Sequence, residues 1–256
     1  MNGMSRLNRR SFLTRISAAG GALLLGGCDQ LSQSPTFRDF LSKAEGATQR
    51  LQRLALSSRS MAREYGASDL SANFKANGST NVDDPSYQTH VREGFSNWRL
   101  KIDGLVERPA ELSLDDLRRL PARTQITRHD CVEGWSAIGK WKGAQLGTLL
   151  QSAGLKPDAR YLVFHCADTF GLGSPYYESI DLIDAFHPQT ILAYDMNDAA
   201  LAVPHGAPIR LRVERQLGYK MAKYVMRIEA VSAFAMIGGG RGGFWEDRGY
   251  EWYAGI

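Results

Sequence analysis

The sequence is poor in the side chains that most protein-held metal and haem sites need. Its 256 residues include three cysteines and five histidines, with no Cys-x-x-Cys pair and no two histidines at helical spacing. A structural zinc site needs three or four such ligands, usually in paired spacings, so the pattern argues against one. The absence of Cys-x-x-Cys-His likewise excludes covalently attached haem.

Long apolar runs and an excess of one charge are also missing. No segment stays apolar over the roughly 20 residues of a membrane-spanning helix. The formal net charge of +4 is matched by Arg6, Arg9, Arg10 and Arg15, and no acid precedes Asp29. The rest of the chain is close to neutral, so no nucleic-acid surface is expected.

What is present begins with an export signal over residues 1–28. The letters NRRSFL at positions 8–13 precede a short Gly/Ala-rich apolar stretch that ends LGGC at Cys28. This order predicts a twin-arginine signal, which exports folded protein to the periplasm. The small residues before Cys28 resemble a lipoprotein cleavage site, which would make a lipid on Cys28 the only membrane attachment. An ordinary cleaved signal and an uncleaved anchor are the alternatives.

The remaining chain divides into three parts by pattern. Apolar residues at helical spacing over 36–65 predict a helical spacer within 29–70, with a partner-binding helix as the alternative. The range 71–240 reads as one domain, which opens on a long Asn- and Gly-rich loop. A Gly-rich, aromatic tail at 241–256 is expected to pack on that domain.

Within the domain, short strands mix with irregular helices. Alternation predicts strands at 98–103, 161–166, 209–213 and 225–234. Ser113, with Asp116 three residues later, predicts a helix that Pro121 ends, and a second helix is expected over 143–153. Without regular strand and helix alternation, the pattern favours an α+β class over a doubly wound sheet.

The chemistry concentrates around Cys131, in the letters RHDCVEGWS at 128–136. Cys131 and Cys166 could form a disulfide, remain buried thiols, or include a working thiolate. A cysteine nucleophile served by His129, His165 or His205 is a further possibility.

Three separated segments carry a resemblance to a known family. They are CVEGWS at 131–136, followed by Trp141 and Gly143, then HGAPIR at 205–210 and GYKMAK at 218–223. Over roughly 70–240 the chain resembles the sulfite-oxidase-like molybdopterin-binding oxidoreductases. It is most similar to their exported branch, which includes the catalytic subunit of periplasmic methionine sulfoxide reductase.

The resemblance implies a single α+β domain of mixed β-sheets with short helices, holding one molybdenum and one pterin. Cys131 would be the metal ligand, since a soft sulfur suits such a centre. Arg210 and Lys223 would bind the pterin phosphate directly. The other implied pterin contacts are Asn73, Asn77, His165, Cys166, His205, Gly218 and Lys220.

The implied activity is two-electron oxygen-atom transfer. True sulfite oxidases carry an arginine five residues beyond the metal-binding cysteine, whereas this sequence has Ser136, and the lost contact to an anion is of order 1.5–3 kcal/mol. Arg128 could replace it. A neutral S-oxide or N-oxide would suit a pocket lined by Trp135 better, and reduction of such a substrate is the expected function. Oxidation of sulfite and a metal-free binding lipoprotein are the alternatives.

Two further roles follow from the resemblance. Candidates for proton supply are Tyr176, Tyr177, Glu133 and His129. Because the chain lacks a haem-binding motif, its electrons would come from an external partner, either a membrane haem protein or a soluble cytochrome.

Overall fold

The computed structural model of the chain describes residues 34–55, 57, 59–171 and 173–256. The predicted export signal, including Cys28, lies outside these residues. The chain divides into two compact units, 1–52 and 53–256. Within the described ranges, no helix is long and apolar enough to cross a membrane.

The helical elements are short apart from the first. In chain order they are α1 (Pro35–Ala55), α2 (Pro85–Arg92), α3 (Leu114–Arg119), α4 (Leu146–Ala153) and α5 (Leu182–Ala185). The predicted helical stripe over 36–65 is therefore helical only to Ala55. The capping box predicted at Ser113 forms, since its hydroxyl accepts from the Asp116 N–H while the Asp116 carboxylate accepts from the Ser113 N–H.

Strands supply most of the second unit. In chain order they are β1 (Leu100–Gly104), β2 (Ala110–Leu112), β3 (Ala122–Cys131), β4 (Trp135–Gln145), β5 (Tyr161–Phe170), β6 (Ser174–Asp181), β7 (Ile191–Met196), β8 (Ala199–Ala200), β9 (Arg210–Arg212) and β10 (Val225–Val231).

These strands form two sheets, of which the first is mixed and the second is antiparallel. One has the order β2-β1-β10-β5-β6, with β1 and β10 parallel and the other pairs antiparallel. The other has the order β3-β4-β7-β8, with β9 paired to β7. The main core contains residues of both sheets together with Trp98, which is fully buried. Largely antiparallel sheets with few short helices make this an α+β fold, as the sequence predicted.

Several predicted boundaries differ from the structure, among them the start of α4 and the end of β10. The helix expected from residue 143 begins at Leu146, because residues 143–145 continue β4 along β7. Gly143 allows that close pairing, since a Cβ there would lie 2.2 Å from the Leu192 carbonyl oxygen. The predicted strand 225–234 ends at Val231.

Residues 60–71, here called the strap, run along the second sheet. The Tyr65 N–H donates to the Ile126 carbonyl at 2.9 Å, and the Ser71 N–H donates to the Ile138 carbonyl at 3.1 Å. The side chain of Gln189 holds the strap through both the N–H and the carbonyl of Ala62. The strap is thus part of the folded unit, which begins before residue 71.

The tail, residues 241–256, packs against the first sheet. Phe244 is buried, and the ring of Trp252 lies 5.4 Å from that of Tyr161 on β5. Beneath it the buried ammonium of Lys220 contacts the carboxylates of both Glu178 and Glu246. This buried triad joins the tail to β6 and to the 3₁₀ turn Gly218–Lys220.

Candidate active site

A cleft of about 650 Å³ lies where the loops and the tail meet. Its lining comes from the loop 77–79, the end of β3 with residues 132–133, the far half of β5, the turn 218–223 and the tail residues Trp245 and Tyr250. The cleft is concave and combines polar with aromatic side chains, as sites for small molecules and cofactors do.

Cys131 is the last residue of β3, directly before the turn to β4, and it lines the cleft. The turn closes when the Gly134 N–H donates to the Cys131 carbonyl at 3.0 Å, and Gly134 adopts the positive φ of 85° that the turn requires. Cys131 and Cys166 are both free thiols, so the disulfide alternative is wrong. Burial raises the pKa of the Cys131 thiol. A raised pKa makes it a weak nucleophile unless a metal replaces its proton.

His129, two residues earlier on β3, is fully buried. Its Nδ1 lies 3.1 Å from Nη1 of Arg212, which can only donate. Nδ1 is therefore the acceptor and Nε2 carries the proton. Burial, and then the charge of Arg212, lower the pKa of His129 well below its usual value, so the ring is neutral.

An aromatic cluster surrounds His129, with Phe74 at its centre. The Phe74 ring centroid lies 5.7 Å from His129, 6.4 Å from Trp135, 5.4 Å from Trp141 and 5.9 Å from His205. Phe74 comes from the loop before the cleft, Trp141 from β4, and His205 from the turn before β9. The cluster brings the first two family motifs together, and Met221 of the third lies beside it, with its sulfur 3.3 Å from His129 Nδ1.

Positive charge is buried beside this cluster and is only partly neutralised. Arg212 forms an ion pair with Glu214 and also donates to Thr127. Among the described residues, no carboxylate forms an ion pair with Arg210 or Lys223. Burial and the neighbouring Arg212 lower the pKa of Arg210 to about 9. Burial and Arg210 lower the pKa of Lys223 to about 7.

Several buried nitrogen atoms in the same region make no hydrogen bond with any residue that the structure describes: Nε of Arg210, Nε2 of His129, Nε1 of Trp141 and Nδ1 of His205. Such groups are costly to bury without a partner, so they indicate a ligand rich in acceptors. An anionic pterin phosphate supplies acceptors and charge, and a thiol at the cleft supplies a soft metal ligand. The residues present therefore fit molybdopterin.

Lys223 makes contacts that the sequence did not suggest. Its ammonium donates to the carbonyls of Asn77 at 2.7 Å and Pro204 at 2.9 Å, and also to the carbonyl of Ser79. An ammonium has three donors, so all are used by backbone. Lys223 thus joins the loop that lines the cleft to the turn that carries His205. Direct binding of phosphate by Lys223 stays a prediction.

The other predicted pterin contacts are dispersed. Asn77 and Gly218 line the cleft, and Gly218 leaves room for His129, whose ring atoms would lie 2.4 Å from a Cβ there. Asn73 is exposed beside Phe74. His165 lies outside the cleft lining and pairs with Glu229 at 2.9 Å.

Cys166 and Lys220 do not line the cleft either. Burial raises the pKa of the Cys166 thiol well above its usual value, and this side chain borders a second cavity under the tail. Lys220 is held by Glu178 and Glu246 in the buried triad. Its ammonium therefore anchors the wall of the cleft, and its role as a pterin ligand is untested.

The candidates for proton supply also lie in different places, some in the cleft lining and others outside it. Glu133 lines the cleft and accepts from Trp135 Nε1 at 3.0 Å, while Lys75 pairs with it at 3.3 Å. Tyr176 lines the cleft and donates to the Tyr219 carbonyl at 2.7 Å. The Tyr177 hydroxyl instead donates to Asp247 beneath the tail at 2.6 Å.

Asp168 is a cleft residue that sequence reasoning missed. It is 3% exposed, and its Oδ2 accepts from the Ser79 hydroxyl at 2.8 Å. Burial raises the pKa of this carboxyl to about 6. The only sequence signal would have been the continuation of β5 beyond Cys166, which the structure carries on to Phe170.

Comparison with known proteins places this fold and site. The family model described as "Oxidoreductase molybdopterin binding domain" matches residues 87–235. A protein of Azospira oryzae named as a protein-methionine-sulfoxide reductase subunit, YedZ1, is 36% identical over 248 residues, which cover 96% of this chain and 87% of that protein.

Two further relatives match over a shorter region. The protein-methionine-sulfoxide reductase catalytic subunits MsrP of Campylobacter jejuni and Xanthomonas campestris are 35% and 34% identical over 52% and 59% of this chain. The matches span about half of each relative, 48% and 50%. The sulfane dehydrogenase SoxCD of Paracoccus pantotrophus aligns with a TM-score of 0.48 at 28% identity, over 53% of this chain and 38% of that one.

The family match covers more than half of the chain and contains Cys131, His205, Arg210 and Lys223. It agrees with the sequence motifs, with the α+β fold and with a cleft whose residues fit a molybdenum cofactor. The chain belongs to the family of molybdopterin-binding oxidoreductases and is an enzyme of that family.

Proposed function

We propose that this protein reduces an S-oxide by removing its oxygen atom, with one molybdenum and one pterin bound in the cleft. The names of the relatives point to protein-bound methionine sulfoxide as the substrate class. An N-oxide has the same polar, uncharged character and is the nearest variant of this proposal.

The charge of the cleft is the observation that carries this proposal. Its described lining holds two acids, Glu133 and Asp168, and a single cation, Lys223, whose donors are all bound to backbone carbonyls. A sulfite dianion would meet the carboxylate of Glu133, and that of Asp168 whenever it is ionised, without a guanidinium to bind it. A neutral S-oxide avoids that repulsion and can lie against the aromatic wall of Tyr219, Trp245 and Tyr250.

Arg128, which could have replaced the arginine of a sulfite site, lies outside the cleft lining. Arg128 is exposed and pairs with Asp130 at 2.9 Å. The Ser136 hydroxyl also donates to Asp130, on the same outer side of the hairpin. Neither residue lines the cleft, and this supports an uncharged substrate.

Each group of residues has a distinct task in this proposal. Cys131 would hold the molybdenum through its sulfur, and Arg210 with His205 would hold the pterin and its phosphate. When bound, the cofactor supplies two-electron oxygen-atom transfer chemistry. The aromatic wall orients the substrate and excludes water, while the neutral ring of His129 offers its Nε2 proton as a hydrogen-bond donor.

Export and electron supply complete the proposal. The twin-arginine segment at 8–13 would carry the folded, loaded enzyme to the periplasm, where a lipid on Cys28 could tether it. A one-electron carrier, either a membrane haem protein or a soluble cytochrome, would reduce the bound cofactor.

Metal analysis and turnover test the proposal together. Protein from a molybdenum-supplied host should contain about one molybdenum and one pterin per chain. It should reduce methionine sulfoxide, free or in an oxidised protein, with a reduced dye as electron donor. Cys131→Ser should lose the metal and the activity.

Two results would contradict this function. Metal-free protein from a cofactor-competent host would favour a binding protein instead. Loaded protein that oxidises sulfite with an artificial acceptor, and leaves the sulfoxide unchanged, would favour the sulfite reaction.

A further inference from the structure

The proposed reaction consumes protons, and the cleft contains a buried acid placed to supply one. Breaking the S–O bond leaves the bonding pair on sulfur, and the released oxygen becomes water by taking up two electrons and two protons. The electrons come from the external one-electron carrier through the bound cofactor. The protons must reach that oxygen inside the cleft.

Asp168 is the buried carboxyl in this cleft. It is 3% exposed and lies on β5, between the loop 77–79 and the residues that precede β10. One of its oxygens, Oδ2, accepts from the Ser79 hydroxyl. The other, Oδ1, is buried and makes no hydrogen bond with any part of the chain that the structure describes.

The surroundings of Asp168 favour its protonated form. Among the residues that the structure describes, no cation forms an ion pair with it. An ionised carboxylate buried without such a partner is costly, so the group gains stability by binding a proton. The Ser79 hydroxyl occupies Oδ2, which leaves the unpartnered Oδ1 as the place for that proton.

We infer that Asp168 is a catalytic acid which passes the proton on Oδ1 to the oxygen released from the substrate and then regains a proton from solvent through the cleft. This inference rests on the proposed function and names its proton donor. The second proton comes from solvent.

The acidity of the group suits this task. The pKa of Asp168 is raised to about 6 by burial, while the Ser79 hydrogen bond and the charge of Lys223 lower it. A donor with a pKa near the working pH combines a populated acid form with ready release. The other ionisable groups facing Asp168 are Tyr87 on α2, Cys166 on β5, Tyr176 on β6, and Lys223 and Tyr224 before β10.

Asp168→Asn tests the inference, with the exposed Asp158→Asn as the matched control. The variant should retain its molybdenum and pterin and a similar KM for methionine sulfoxide, while kcat falls by about 100- to 10,000-fold. In wild type, kcat should decline as pH rises through about 6, because the acid form of Asp168 is lost. Asp168→Asn should lack that decline, and Asp158→Asn should retain it.

Ser79→Ala should change the pH at which kcat declines, which a purely structural role of Asp168 would leave unchanged. The Ser79 hydrogen bond lowers the pKa of Asp168, so its removal should move the decline in kcat to higher pH. Unfolding of the cofactor-free protein gives an independent check. Between about pH 4 and 6 its stability should fall as pH rises, and Asp168→Asn should remove that slope.

Four results would overturn the assignment. Loss of pterin from Asp168→Asn would make the residue a cofactor ligand, and wild-type kcat in that variant would remove its catalytic role. An unshifted profile in Ser79→Ala would mean that another group titrates. Wild-type protein that fails to reduce the sulfoxide would overturn the proposed function and this assignment together, whereas an active wild type matched by Asp168→Asn overturns the assignment alone.

Discussion

The guanidinium carbon of Arg210 lies 5.1 Å from the ring centre of Trp141, and the Nε of Arg210 makes no hydrogen bond. Its other nitrogens donate to the carbonyls of His205 at 3.1 Å and Met221 at 3.4 Å. Arg212 also lies over the Trp141 ring, at 4.3 Å, but is paired with Glu214. The two arginines differ in their ionic partners. Arg212 has a carboxylate partner, whereas Arg210 has none among the described residues.

This difference predicts opposite effects of Arg210→Met and Arg212→Met. Arg210→Met should abolish pterin retention, yet leave the cofactor-free protein within about 1 kcal/mol of wild type or more stable, because it removes a buried charge without an acidic partner. Arg212→Met leaves Glu214 buried and unpaired and should cost about 3–5 kcal/mol. Denaturant unfolding of the cofactor-free proteins measures both. Equal destabilisation by the two changes would contradict the need for an anion at Arg210.

The buried triad predicts a large cost for Lys220→Met. Without its ammonium, Glu178 and Glu246 face each other unpaired, and about 3–5 kcal/mol of unfolding free energy should be lost. Lys142→Met, on the exposed side of β4, should change stability by less than about 0.5 kcal/mol. Adding Glu178→Gln and Glu246→Gln to Lys220→Met should recover much of the loss. No recovery would mean that packing of the lysine stem, and not charge, holds the tail.

The lowered pKa of Lys223 predicts a pH-dependent stability for the cofactor-free protein. Between the folded value of about 7 and the ordinary lysine value near 10.4, the unfolded chain binds the additional proton, so stability rises with pH. From pH 7 to 9 this group should add up to about 1.4 kcal/mol per pH unit. The slope should be absent in Lys223→Met, and an unchanged slope would place the titration elsewhere.

The raised pKa of Cys131 predicts slow alkylation of the cofactor-free protein. At pH 8 a thiol reagent should modify Cys131 more slowly than a free cysteine, because burial reduces the thiolate fraction. The same reagent should react rapidly once the chain is unfolded, and loading with the cofactor should block the reaction. Rapid modification of the folded, cofactor-free protein would instead support a cysteine nucleophile.

Local signals in the sequence were sufficient for much of the fold. The capping box at Ser113 and the alternation around Leu100 depend on neighbours within a few residues, and both predictions match the structure. The continuation of β5 to Phe170 was missed because its pairing shifts register between His165 and Thr169, where simple alternation ends. The start of α4 depends on the contact of Gly143 with β7, which is distant in sequence.

The site shows the same limit at the level of side chains. The family motifs predicted Cys131 and Gly218 as site residues, and both line the cleft. Lys220 and Lys223 looked alike in sequence as cations for a phosphate. In the structure their contacts differ. Lys220 is bound by two distant carboxylates, whereas Lys223 is bound by three distant carbonyls. Asp168 gave no signal, since its burial arises only when the loop 77–79 folds over it.

The composition of the cleft also sets an order of events during biosynthesis. Its walls draw on residues from Asn77 to Tyr250, and the buried triad holds the late segment against the earlier strands. A nascent chain has no complete cleft until Tyr250 has emerged from the ribosome. Insertion of the cofactor must therefore follow synthesis of nearly the whole domain.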